Sequence, residues 1–428
     1  MKKSIATSWS LWMGLAFVSS LVFGYAMFGQ GDNSHVFLPG ETSHGHYQIE
    51  MKCSACHDPD MGVQEDACMR CHAQELEDAN DSHPKSKFTD PRNADRLQKL
   101  DASRCITCHS EHVADRTHNM GVTVPEDYCF QCHEDVGENR PSHEGMTFDT
   151  CATAGCHNYH DNSALYEDFL VKHAEGSDVL DVMKILGREP LKKNDKSLGV
   201  AEADFARHGV APDPHVLEEW SDSVHALAGV SCSDCHDQGG QWVEKPNHES
   251  CKACHQAEVE GFFGGHHGMR LAQGLSPMKP SMAKLPMHAG AAHKELSCVS
   301  CHGSHGFDRE EASVKACMQC HNDDHSNQYL NSQHFQLWAE KGLEGGGVSC
   351  ATCHMPRIKD SSDKGYRVQH NQNDNLRPNE KMIRGVCMNC HGLEFSIDAL
   401  ADEELVNRNF IGQPSKHVES INMAVERQ

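Results

Sequence analysis

All 22 cysteines of this 428-residue chain fall in short motifs that end in histidine. Ten motifs are Cys-x-x-Cys-His, beginning at Cys53, Cys68, Cys105, Cys129, Cys232, Cys251, Cys298, Cys317, Cys350 and Cys387. Their second cysteines are Cys56, Cys71, Cys108, Cys132, Cys235, Cys254, Cys301, Cys320, Cys353 and Cys390. Their histidines are His57, His72, His109, His133, His236, His255, His302, His321, His354 and His391. The remaining two cysteines, Cys151 and Cys156, belong to the stretched sequence CATAGCH, which closes on His157. Numbered in chain order, CATAGCH is site 5 of eleven.

Disulfides, zinc and iron–sulfur clusters all fit this arrangement poorly. A disulfide framework spreads its cysteines to close long loops, whereas every pair here is local. Zinc ribbons and iron–sulfur sites use paired cysteines but have no need of a histidine after each second one. Cys-x-x-Cys-His is the attachment signature of c-type haem: two thiols form thioethers and the adjacent imidazole reaches the iron. In CATAGCH only the loop between the thioethers lengthens, so eleven covalent haem c groups are expected. Hydrophobic residues make up 38% of the chain and aromatics 6%, thin for a protein of this length. Packed porphyrins would supply the missing apolar mass. The expected fold is mainly α with much irregular structure, built around haems.

The net charge is −24, which argues against nucleic acid and anionic lipid as partners. A well-solvated surface accounts for such charge, and steering of a basic redox partner is the functional alternative. Residues 1–30 carry Lys2 and Lys3 ahead of an apolar run from Trp9 to Phe28. Roughly 20 apolar residues suffice to span a bilayer, and Trp9, Trp12 and Tyr25 suit its interfaces. A single N-terminal transmembrane signal-anchor is favoured over a cleaved signal. The body would then sit on the periplasmic side of the bacterial inner membrane.

The chain divides into an anchor (1–30), a tether (31–50), a five-haem region (51–160), a haem-free helical connector (161–230) and a six-haem region (231–428). Within the connector, residues 163–174 read as a helix capped by Ser163. Residues 214–229 read as a second, entered through Asp213 and Pro214 and closed at Gly229. LKKNDKSLG (191–199) reads as a solvated turn. Sites 6 and 7 start 19 residues apart, as do sites 8 and 9. Such doublets set haems close together, as electron hopping requires.

The sixth iron position decides between carrier and enzyme, because a second strong ligand saturates the metal and a vacancy binds substrate. The chain has 33 His, enough for bis-histidine ligation throughout. His112, His160 and His305 lie three residues past a proximal histidine and His325 four past one, so each turns toward a neighbouring haem. His173, His225, His334 and His370 flank motifs from helices or extended stretches and complete the distal candidates. His35, His266, His267 and His417 are placed with surface residues. Met61, a thioether near His57, is read as packing.

GVSCATCHMPR (347–357), His370 and GVCMNCHG (385–392) resemble the last two haem sites of the pentahaem nitrite reductase and octahaem hydroxylamine oxidoreductase superfamily. That resemblance covers about 220–428, and SQHFQLW (332–338) echoes the family's helix bearing a distal histidine. It implies that His370 is a distal ligand. The N-terminal half resembles class III cytochromes, with CxxCHxxH at 105–112 and the stretched CATAGCH. Departures bear on activity: no motif ends in Lys, and no tyrosine maps onto the catalytic one, with Asp324 and Tyr329 following His321 instead. The expected function is electron carriage from a membrane donor, quinol itself or a quinol dehydrogenase, to a downstream acceptor. The alternative is a terminal reductase or oxidase of a small nitrogen or sulfur compound, at an open haem near His321 or His354 with Gln333 or His334 beside it.

Overall fold

The computed structural model describes residues 2–28, 38–79, 83–113, 128–140, 143–144, 159–160, 165, 167–181, 183–184, 197–211, 213–343, 345–359, 365–376 and 381–426. CATAGCH (151–157) and His35 lie outside them. Short helices dominate, and the strands form three antiparallel hairpins: 57–58 with 62–63, 237–238 with 241–242, and 357–359 with 366–368. Each hairpin begins at or just after a motif histidine, at sites 1, 6 and 10.

The longest helix, Lys2–Phe28, presents its large apolar side chains from Trp9 to Tyr25 to the exterior. Among the described residues no helix is long and apolar enough to cross a membrane, so the fold lends the anchor no support.

The connector differs from its sequence reading in three places. The first helix is shorter, Glu167–Lys172, and Ser163 lies outside the described residues. The solvated turn gives way, from Ser197, to a helix that runs to His208. The single helix over 214–229 is two, Pro214–Ser221 and Val224–Ala228. The break falls at Ser223, whose hydroxyl accepts from the N–H of Ala226 at 3.2 Å and starts a new helix. A serine that bonds local backbone in this way offers it an alternative to continuing the helix. Both expected ends stand: Asp213 accepts from the His215 N–H, and Gly229 closes with φ 84°.

Among the described residues, two small apolar clusters stand out. One joins the connector to the C-terminal end, through Leu165, Leu170, Ile383, Leu393, Ile397, Ile421 and Ala424. The other gathers Phe205, Trp220 and Ala226 before site 6. The connector also pairs with the last site: the N–H of Leu180 donates to Cys390 O at 2.8 Å and that of Gly392 to Ser177 O at 3.0 Å. A Cβ at Gly392 would stand 2.6 Å from Ser177 O, so only glycine allows this approach. Segments far apart in sequence thus meet at site 11.

Leu393 is 1% exposed within the first cluster. Leu393→Ala should lower stability by about 2–5 kcal/mol through lost burial and a residual cavity. Guanidinium unfolding of the holoprotein, followed in the Soret band, measures it.

Candidate functional site

An α-helical turn puts residues i, i+3 and i+4 on one face. A helix starting at the first cysteine therefore aims both thiols and the imidazole the same way. Helices Cys232–His236, Cys298–His302 and Cys350–His354 start in this register. In each, a serine precedes the first cysteine and the residue three further on returns an acceptor to its N–H. Asp234 accepts from Ser231 at 2.7 Å, Ser300 from Ser297 at 2.9 Å and Thr352 from Ser349 at 3.0 Å. These reciprocal caps fix the start of the helix. Site 2 lies inside the longer helix Glu65–Ala79, and site 1 begins in the 3-10 turn Cys53–Ala55.

Each of the ten described motif histidines faces a second histidine that follows no cysteine. In the N-terminal half the ring centroids are 6.4 Å apart for His57 and His112, 6.0 Å for His72 and His46, 6.1 Å for His109 and His160, and 6.2 Å for His133 and His83. Sites 6 to 8 give 6.1 Å for His236 and His305, 5.9 Å for His255 and His225, and 6.2 Å for His302 and His370. Sites 9 to 11 give 6.2 Å for His321 and His267, 5.9 Å for His354 and His325, and 6.2 Å for His391 and His334.

That spacing fits an iron between the rings. A first-row metal binds an imidazole nitrogen at about 2.0–2.1 Å, and the centroid lies about 1.1 Å beyond, so trans imidazoles have centroids about 6.2 Å apart. Ordinary ring packing also reaches such distances. It does not make every described motif histidine meet one partner between 5.9 and 6.4 Å. The residues present therefore fit haem c at each described site: two thiols and one imidazole from the motif, one imidazole from elsewhere.

Electrostatics agree. Burial, and next the facing imidazole, bring His109, His267, His302, His334 and His354 down to about 4. Neutral rings keep the lone pair that a metal needs. The second nitrogen of many rings is also held, as is usual for metal-binding histidines. Nδ1 of His112, His83, His236, His325, His370 and His391 meets the backbone carbonyls of Gly40, Tyr159, Val243, Val406, Val368 and Asp178. At site 2 the acceptors are carboxylates: Glu75 for His72 at 3.2 Å and Glu111 for His46 at 2.7 Å.

Of the distal candidates, His112, His160, His225, His305, His325, His334 and His370 each face a motif ring. His173 faces none of the described ones; just past the helix Glu167–Lys172, it packs on Phe169 with ring centroids 4.6 Å apart. His267, placed with the surface residues, instead faces His321. His417 sits in a polar cluster, 3.0 Å from Asp398, whose hydrogen bond raises its pKa. His266 lies 6.3 Å from His44. Met61 is 66% exposed, and the ring opposite His57 is that of His112. The sequence does not single out His46 and His83, since neither lies close to the motif it serves.

Neighbouring sites approach in chain order. The side chains of Cys68 and Cys105, of Cys251 and Cys298, and of Cys317 and Cys350 lie close to one another. Cys108 interacts with Cys129, Cys235 with Cys251, Cys301 with Cys317 and Cys353 with Cys387. The open-haem reading finds its rings occupied: His321 faces His267, His354 faces His325, and His334 is taken by His391. Tyr329 is buried, its hydroxyl donating to Val348 O at 2.7 Å.

Residues 99–138 match the family described as the doubled CXXCH motif. Cytochrome c-552 of Haemophilus influenzae is 25% identical over 221 residues, 42% of this chain and 38% of that protein. The acrylate reductase cytochrome subunit of Shewanella woodyi is 28% identical over 103 residues, 24% of this chain and 73% of that subunit. The multiheme cytochrome MtrC of Shewanella baltica is 23% identical over 163 residues, 35% of this chain and 24% of that protein. The chain thus spans well under half of the cytochrome c-552 that it matches. These likenesses, the recurring attachment motifs and their facing imidazoles support a multihaem c-type cytochrome with covalently bound haem c.

Proposed function

We propose that this cytochrome is an eleven-haem conduit. It takes electrons from a quinol-linked donor at the inner membrane and delivers them to a downstream acceptor. The observation that carries this reading is the second histidine opposite every described motif histidine. Two imidazoles leave an iron no position for substrate, so the group they hold serves as a one-electron carrier. The closeness of successive motifs supports a path in chain order, with sites 6 to 11 forming an unbroken series. The acidic surface, at net charge −24, favours a basic redox protein as partner.

The anchor is proposed on the sequence alone, from the apolar run Trp9 to Phe28 behind Lys2 and Lys3. The body would then lie on the periplasmic side. For the C-terminal half, kinship with the nitrite reductase and hydroxylamine oxidoreductase superfamily is proposed on the strength of GVSCATCHMPR and of His370, which faces His302. The catalytic reading has less support, because the candidate irons have two facing histidines and Tyr329 is engaged elsewhere.

Intact mass of the purified protein should give eleven haems, CATAGCH included. Electron paramagnetic resonance should show only low-spin ferric signals, and the reduced protein should bind little carbon monoxide. Several high-spin signals would instead favour the reductase. His112→Ala should turn one haem high-spin, whereas Met61→Leu should leave the spectrum unchanged, as the optical bands near 400 nm and 630 nm report (about the usual positions for high-spin ferric haem). Deleting residues 1–30 behind a cleavable export signal should release the haem-bearing body from the membrane fraction; retention there would refute the anchor.

A further inference from the structure

We infer that Glu75 and Glu111 are positioning residues that hold the iron of site 2 at a lower reduction potential than irons whose axial rings rest on backbone carbonyls. The inference rests on the bis-histidine reading of His46 and His72. Both rings of this pair turn Nδ1 to a carboxylate, His72 to Glu75 at 3.2 Å and His46 to Glu111 at 2.7 Å. Each carboxylate is itself held in place. Glu111 accepts from the backbone N–H of Ser43 and, at 2.7 Å, from its hydroxyl. Glu75 accepts from the ammonium group of Lys381.

Both acceptors are carboxylates, fixed in place by these further contacts. The bonds are therefore charge-assisted, N–H to carboxylate, and stronger than bonds to neutral acceptors. An anion on Nδ1 pulls the ring proton toward itself and makes Nε2 a stronger donor. A stronger donor on each side stabilises ferric over ferrous iron and lowers the potential. His112, His83, His236, His325, His370 and His391 face neutral carbonyls and lack this push.

The position makes the effect consequential. Site 2 stands between site 1 and site 3, with Cys71 near Cys56 and Cys68 near Cys105. Lys381, which fixes Glu75, comes from the helix Lys381–Gly385 leading into site 11. An electron passing through site 2 therefore meets an energetic step set by two side chains.

Glu75→Gln and Glu111→Gln keep the side-chain volume and remove the charge. In a redox titration of the full-length holoprotein followed by visible and resonance spectra, each should move one midpoint upward. The double variant should move the same midpoint further, with haem count and low-spin character unchanged. A double variant with every midpoint unmoved overturns the proposal. His46→Ala separates this failure from failure of the ligand reading. One new high-spin haem upholds the ligation on which the proposal depends, and an unchanged low-spin spectrum removes that basis and the proposal with it.

Discussion

The gap between two facing imidazoles is the constraint on which the structure depends. One ring is delivered by a local motif and the other by a remote segment, so each pair ties two parts of the chain together. His160 reaches back from beyond site 5 to site 3, His305 from site 8 to site 6, and His370 from between the last two motifs to site 8. These ties explain how a chain with 38% hydrophobic residues keeps a defined shape with small apolar clusters. Where most proteins join elements by burying side chains, this one joins them through the groups its histidines grip. The leucine and isoleucine cluster at the C-terminal end serves the region where the haem-free connector must be fastened.

Local chemistry also orders the sites. The caps at Ser231, Ser297 and Ser349 start each helix at the first cysteine, so the whole motif shares a face before any tertiary contact forms. Successive motifs then lie close to one another through their cysteines. The ring nitrogens not used for iron meet mostly carbonyls, which orient the rings without adding charge; at site 2 both rings of the pair meet carboxylates, and His255 and His321 each have one nearby.

The attachment sites are legible in the sequence because they are contiguous: five residues carry all the chemistry. Seven of the distal partners are legible because they sit beside motifs or on marked helices. His46 and His83 are not, since their partners lie in separate helices and no local spacing relates them. His267 escapes for a similar reason: the pair His266–His267 contains one ring that faces His321 and one that faces His44, and only tertiary structure tells them apart. The helix over 214–229 reads as continuous because its apolar stripe runs through Ser223. A side-chain hydrogen bond to Ala226 outweighs that periodicity locally.

The C-terminal half shows why likeness of motif does not carry activity. The phrases shared with the reductase and oxidoreductase superfamily place histidines, and His225, His334 and His370 all face motif rings. What an enzyme of that kind also requires is an iron with a free side and a polar group aimed at it. At His321 and His354 the free side is filled by His267 and His325. The tyrosine that follows site 9 is buried, and burial together with the neighbouring thiols pushes its pKa up. With its hydroxyl given to Val348 O, Tyr329 locks the helix Asp324–Tyr329 against the segment leading into site 10. At the described sites, each motif ring is thus faced by a second imidazole where such an enzyme would need an open side.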